Sequence, residues 1–327
     1  MKVVVLGASG FTGRPLVRWL AGAGHEVVAV SRGGEDAQAG PGVTALSLDR
    51  SHPAAIAKAV ENHRADTVID LLAMTHAATL PLIEALAGRV GRYVMASSGD
   101  VYREYGALHR LETVDRPSQP LDEDAPLRTR LHPYRATPPR PADDPQAWMD
   151  DYDKIPIERA LAGRSDLPAV VVRLPMIYGP GDRQRRFAWA IKPMLAKAPV
   201  IEVDAQWAVW RTSYGYVDDV AAALGLAATH PAASGRTYNV GPVATQDHVH
   251  WAGRFAALLG WAGELRPVPR EQVAEPARSH LDGLDLTYPF VTDTRRIRAE
   301  LGYREVTDPA DALRRTVEDE IARSPPS

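Results

Sequence analysis

Seven residues near the start of the chain, Gly7-Ala8-Ser9-Gly10-Phe11-Thr12-Gly13, set glycines at three-residue intervals among small side chains. Such glycines permit a tight turn and let backbone N–H groups approach a pyrophosphate at a helix N-terminus. The position of the run strengthens the reading, because strand-like Val3-Val4-Val5-Leu6 precedes it and a helical pattern, Arg14–Ala23, follows. A second feature is a scarcity. Only five of the 38 basic residues are lysines (Lys2, Lys58, Lys154, Lys192, Lys197), and a lysine offers a compact ammonium that arginine does not. Other candidates carry less. His248 and His250 stand two apart on an expected helix and diverge, which argues against a metal pair. His109 and His132 lack a paired carboxylate pattern, and Asp122-Glu123-Asp124 reads as a solvated turn. Arg183, Arg185 and Arg186 read either as a solvated helix start or as contacts to an anion.

The elements that must position these residues alternate. Continuous apolar runs at Lys2–Leu6, Glu26–Ser31, Val43–Leu48, Thr67–Leu71, Arg92–Ala96 and Ala169–Leu174 read as strands buried on both faces. Helical patterns lie between most of them, among them Pro53–His63 and Thr79–Leu86. This rhythm predicts an α/β fold: a doubly wound parallel sheet with helices on both faces, and a smaller mixed α/β module toward the C-terminus. The expected division assigns residues 1–174 with 212–240 to a dinucleotide-binding domain and 175–211 with 241–327 to a substrate module. A proline-rich stretch at 103–149 interrupts the rhythm as a long insertion, either functional or a solvated excursion. Helices are expected at Arg183–Ala198, Val217–Ala228, Thr245–Leu259, Thr294–Leu301 and from Pro309 to about Ala322. Short strands are expected at Val200–Val203, Ala208–Arg211 and Thr237–Val240.

A length of 327 residues suits two modules. The net charge of -3 argues against a broad nucleic-acid or membrane-binding surface. No run of 18 apolar residues exists, so no membrane span is expected. The absence of cysteine excludes a disulfide framework, a thiolate metal site and a cysteine nucleophile. The apolar run at the N-terminus is strand-length rather than signal-like, which points to a cytoplasmic protein.

The glycine run, Ser97-Ser98-Gly99-Asp100-Val101-Tyr102, Lys154-Ile155-Pro156-Ile157-Glu158, Arg173 to Asp182, Tyr216-Val217-Asp218-Asp219-Val220 and Tyr238-Asn239-Val240-Gly241 together resemble the short-chain dehydrogenase/reductase superfamily in its extended, epimerase-like branch. The resemblance covers about the first 240 residues, and Asp293 to Tyr303 resembles the family's C-terminal end. It implies a nicotinamide dinucleotide held by Gly7, Ser9, Gly10, Phe11, Thr12 and Gly13. Asp49 and Arg50 match the family's adenine contacts, Leu72 and Ala73 its adenosine-side backbone contact, and Lys154 and Pro175 complete the expected cofactor site. At the tip of the second strand an acidic residue would accept from a ribose 2′-hydroxyl. Here Ser31 and Arg32 stand there instead and suit a 2′-phosphate, which favours NADP, with NAD the alternative.

The resemblance also implies Ser98 as the hydroxyl that binds the substrate oxygen and Lys154 as the cation that lowers the pKa of a catalytic tyrosine. The tyrosine departs from the family pattern. Four residues before Lys154 is Asp150, and the nearest tyrosine, Tyr152, lies only two before it. Two helical positions apart point to opposite sides. Pro156, however, is comfortable only in a first helical turn, so the helix is expected to start near Asp153 and leave Tyr152 in a loop. Tyr152, Asp150 or neither remains as the acid/base.

The substrate region departs too. Met176 replaces the family's common asparagine, and Trp207, Trp210, Tyr214 and Tyr216 stand where a glycine pattern would be. These aromatics either wall a pocket for an aromatic or apolar small molecule or pack the second module. The reading is an NADP(H)-dependent oxidoreductase or epimerase-like enzyme acting on a small molecule other than a nucleotide sugar, with no nucleic-acid or membrane partner and room for a homodimer. Its rivals are a non-catalytic NAD(P)-binding protein, redox-sensing or RNA-associated, and an enzyme that uses the nucleotide only structurally.

Overall fold

The computed structural model describes residues 1–33, 40–115, 120–275 and 277–323. Residues 116–119 of the expected insertion, and residues 276 and 324–327 of the expected C-terminal module, lie outside the described residues. Eleven strands occur among those described: β1 (Lys2–Leu6), β2 (Glu26–Ser31), β3 (Val43–Ser47), β4 (Thr67–Asp70), β5 (Arg92–Ser98), β6 (Ala169–Leu174), β7 (Met176–Tyr178), β8 (Val200–Asp204), β9 (Tyr214–Tyr216), β10 (Thr237–Asn239) and β11 (Glu264–Val268). Seven of them form one parallel sheet in the order β10-β6-β5-β4-β1-β2-β3. The order reverses at β1, where open α/β sheets place their ligand crevice.

The apolar runs work through their period of two. Val3 and Val5 of β1 face one layer, where they pack with Leu16, Val17 and Leu20 of α1 (Gly13–Gly22) and with Val220 and Leu224 of the helix Val217–Thr229. Val4 and Leu6 face the other layer, built from α2 (Pro53–His63), α3 (His76–Leu86) and the helix Ile155–Leu161. Each strand therefore feeds two cores, which is why the runs are continuous rather than alternating.

Two further clusters lie beyond the sheet. One joins Phe187, Ile191, Tyr214, Tyr216, Trp251 and Phe255 with the C-terminal helix Pro309–Arg323. The other joins Tyr102, Leu108, Leu121, Trp210, Leu281 and Phe290. Two-stranded parallel sheets, β7 with β9 and β8 with β11, frame this region.

Several expected elements change. Residues 208–211 are not a strand. Asp204 accepts from the Trp207 N–H at 2.7 Å and caps a short helix, Ala205–Val209, so the cap overrides the local pattern. The helix expected from Arg183 begins only at Ala188, because the Asp182 carboxylate accepts from the N–H groups of Gln184 and Arg186 and holds a turn there. The helix expected from Thr245 begins at His248, capped by Asp247. Strand β11 sits where the pattern suggested mainly helix; pairing with β8 creates it. The insertion carries α4 (Arg103–Leu108) and a 3-10 turn, Ala147–Asp151. Among the described residues, no helix is long and apolar enough to cross a membrane.

Candidate functional site

The glycine run closes the end of β1. Gly7 has φ of +88°, which an L side chain rarely adopts, and a Cβ there would lie 3.0 Å from Leu72 Cγ. At Gly13 a Cβ would lie 2.1 Å from the Gly7 carbonyl oxygen, so only glycine lets α1 start this close to β1. The start of α1 is thereby brought to the sheet's C-terminal edge, where its positive dipole end favours an anion. Leu72 remains 42% exposed beside this cradle and offers an apolar wall.

At the tip of β2 the Ser31 hydroxyl is buried without a hydrogen-bond partner among the described residues. Arg32 is exposed, and among the described residues no carboxylate forms an ion pair with it. Both observations fit a ligand group that accepts hydrogen bonds and carries negative charge. Asp49 accepts from the Ser51 N–H at 2.8 Å, which holds its carboxyl below the usual range. Arg50 does not fit its expected role. Its guanidinium is turned inward, where Nε donates to Asp70 at 2.9 Å and its other nitrogens reach the Ala78 carbonyl and Thr79. It ties β4 to α3, with every guanidinium nitrogen engaged inside the protein. Phe11 packs toward Gly181 and the cluster beyond the sheet, and Pro175 occupies the β6–β7 junction.

The centre lies at the ends of β4 and β5. Ser98 ends β5, and its hydroxyl accepts from the Asp100 N–H at 3.2 Å. The helix after the insertion starts at Ile155, with Lys154 as its N-cap and Pro156 in the first turn. Tyr152 is thus freed from helical spacing. It forms an antiparallel bridge with Thr75, and the next residue donates from its N–H to the Met74 carbonyl. The Asp153 carboxylate fixes the join by accepting from Arg128 (3.2 Å), the His132 N–H (2.7 Å) and the Ile155 N–H (2.9 Å). This junction brings the Tyr152 hydroxyl to Asp100 Oδ2, to which it donates at 2.9 Å, with the Ser98 hydroxyl near enough to favour the phenolate.

Lys154 is 3% exposed. Its Nζ donates to the Ala73 and Ala96 carbonyls at 2.6 and 3.1 Å and sits 5.5 Å from the Tyr152 ring centroid. Burial pulls its pKa down to about 8. The expectation that Lys154 lowers the pKa of Tyr152 is not met in this arrangement. The phenol is held well above its usual range, first by burial and then by the Asp100 charge. Asp150 faces elsewhere. It accepts from the Ala136 and Arg140 N–H groups and from the Arg140 guanidinium, and these hold its carboxyl below the usual range.

The insertion reaches this centre. Tyr134 donates to Asp100 Oδ2 at 3.1 Å, and the hydroxyls of Tyr105 and Tyr134 are 2.8 Å apart. Tyr105, with His109, Met176, Trp189, Trp207 and Trp210, lines a cavity of about 860 Å³. Trp207 stacks on His248 at 3.7 Å, and Trp189 meets Trp207 edge-on at 4.7 Å. Tyr214 lines the cavity and also packs in the cluster beyond the sheet, whereas Tyr216 packs there and lies outside the cavity. The sequence reading missed Asp100, Tyr105 and Tyr134 as members of the site. Asp100 carried a signal, being an acid two residues past Ser98. Tyr134 carried none, since only the fold brings it near.

A glycine cradle at the sheet's reversal, with a tyrosine, a serine and a lysine at neighbouring strand ends, defines a dinucleotide-dependent enzyme of the doubly wound α/β class. The profile of the NAD dependent epimerase/dehydratase family matches residues 3–241, and the chain belongs to that family. It is similar to a 3-diazoavenalumate denitrifying reductase of Streptomyces sp, 30% identical over 93% of this chain and 96% of that protein. A 2'-dehydrokanamycin reductase of Streptomyces kanamyceticus is 40% identical over 30% of this chain and 28% of its own length. Among solved structures, a UDP-glucose-4-epimerase from Stenotrophomonas maltophila with bound NAD has a TM-score of 0.70 at 20% identity, covering 99% of both chains; it shows the shared fold.

Proposed function

We propose that this enzyme is an NADPH-preferring reductase of a small, flat, largely apolar substrate. The carrying observation is the Tyr152 hydroxyl, which donates to the buried Asp100 carboxyl just past the end of β5, with Ser98 and Lys154 beside it. A phenol whose pKa is raised keeps its proton, so it serves as an acid in reduction more readily than as a base in oxidation. When bound, the cofactor would supply the hydride. The chain's own residues then orient the substrate oxygen or nitrogen through Ser98, deliver a proton from Tyr152 and exclude water by burial. Gly7 to Gly13 would hold the pyrophosphate, Ser31 and Arg32 the 2′-phosphate, and Lys154 the nicotinamide ribose. The walls of Trp189, Trp207 and Trp210 support a flat aromatic partner over a sugar nucleotide. The reductase names of the two Streptomyces relatives support the direction.

Titration with NADPH followed by turnover of NADPH with a panel of aromatic ketones and quinones tests the reading. Tyr152→Phe is expected to lower turnover roughly 100-fold or more with little change in NADPH affinity. Full activity in Tyr152→Phe, or no binding of either NADPH or NADH by the wild type, overturns it.

A further inference from the structure

Asp100 is among the buried side chains of the molecule, at 5% exposure, and one of its two carboxyl oxygens, Oδ1, has no hydrogen-bond partner among the described residues. The other, Oδ2, accepts from two phenols, Tyr152 at 2.9 Å and Tyr134 at 3.1 Å. Tyr134 meets Tyr105 hydroxyl to hydroxyl at 2.8 Å, and Tyr105 lines the large aromatic cavity. A continuous line of exchangeable hydrogens therefore runs from Tyr152 through one carboxyl and two phenols to the cavity. A fully ionised carboxylate with a bare buried oxygen is costly, whereas a carboxyl that holds a proton is less so. The charged groups around it are few. Arg128 and Lys154 favour its anion, and the phenols of Tyr152 and Tyr134 donate to it; burial outweighs these and moves its pKa upward.

We infer that Asp100 is the proton store for Tyr152, refilled from the cavity through Tyr105 and Tyr134. The inference rests on the reductase reading for its direction, though not for the coupling itself. In each cycle the Tyr152 O–H bond breaks as an O–H or N–H bond forms on the reduced substrate. The Tyr152 phenolate then takes the proton of the Asp100 carboxyl. Asp100 takes one from Tyr134, Tyr134 from Tyr105, and Tyr105 from water in the cavity. One proton enters at the cavity and one leaves on the product, so no other reactant is needed. Asp100 acts through Tyr152 and is a positioning and proton-supplying residue.

Two measurements test this. The first needs no substrate: ultraviolet titration of tyrosinate in cofactor-free protein, taken as the difference between wild type and Tyr152→Phe. Asp100→Asn removes the charge beside the phenol and is expected to lower the Tyr152 midpoint by at least about one pH unit. An unmoved midpoint overturns the inference. The second follows NADPH oxidation with 9,10-phenanthrenequinone as the probe. Tyr134→Phe cuts the line while leaving Asp100 and Tyr152 in place. Its turnover is expected to fall about 10-fold or more, with a larger solvent isotope effect, and to recover as the imidazole buffer concentration rises. A merely structural tyrosine would show no recovery with buffer, and that outcome overturns the refilling route. No quinone turnover by the wild type, together with a shifted midpoint, would count against the reductase reading and leave the Asp100–Tyr152 coupling standing.

Discussion

Arg32 and Arg50 stand just past the ends of neighbouring strands and have opposite fates. Arg32 projects outward beside the orphaned Ser31 hydroxyl. Arg32→Ala is expected to weaken NADPH about 10-fold and leave NADH within a factor of about two, since a guanidinium–phosphate contact is worth roughly 1.5–3 kcal/mol before solvent screening. Fluorescence titration with both nucleotides checks it; equal losses would remove the 2′-phosphate assignment. Arg50 is bonded to Asp70, and Asp70 also accepts from Tyr93 at 2.6 Å and from the Leu72 N–H at 2.9 Å. Arg50→Met should cost about 3 kcal/mol or more in denaturant unfolding, because it strands a buried carboxylate. A loss below about 1 kcal/mol would refute the internal role. From sequence alone the two arginines are indistinguishable. Both follow a strand, and only the position of Asp70 at the end of β4 decides which one turns inward.

Among the elements, the β1–α1 turn was the most legible, because its demands are local. A positive φ at Gly7 and a missing Cβ at Gly13 are properties of residue type and spacing. Gly13→Ala is expected to abolish NADPH binding, since its methyl would occupy the space of the Gly7 carbonyl, while the far-ultraviolet spectrum stays helical; retained binding within threefold would contradict that account. Pro156 made the late start of the helix after the insertion legible too, and the helix begins within two residues of the expected position. The short helix Ala205–Val209 was not legible, because a single cap from Asp204 outcompetes a weak strand pattern. Nor was the network that absorbs several motif residues. Glu158 accepts from Ser97 (2.5 Å) and Arg173 (2.8 Å), and Tyr102 bonds both Arg173 and Asn239. These positions join elements of the sheet and its helices to one another, and their chemistry gives no sign of it.

At the scale of the whole molecule, one buried ammonium contributes a definable part of the pH dependence of stability. The Lys154 pKa falls from 10.5 to about 8 on burial. Between pH 8 and about 10 the unfolded chain binds more protons at this group than the folded one, so this group's contribution to stability rises with pH there, by up to about 1.4 kcal/mol per unit. Below pH 8 both states are protonated and the contribution is flat. The unfolding free energy of wild type minus that of Lys154→Met should therefore climb between pH 8 and 10; a flat difference would place the ammonium in contact with solvent. The aromatic cavity also belongs to this scale. Trp207 and Trp210 come from one short helix and its end, Trp189 from the helix Ala188–Leu195, and their sequence could not separate a pocket wall from a packed core. The bridge between Tyr152 and Thr75 has an evolutionary consequence. On a helix, losing one residue before Lys154 would swing the acid by about 100° around the axis. In a loop residue held by a single bridge it changes the reach by at most about 3.3 Å, so this way of presenting the acid can tolerate drift in spacing that a helical one cannot. Relatives with an irregular interval before the lysine need not have lost their chemistry.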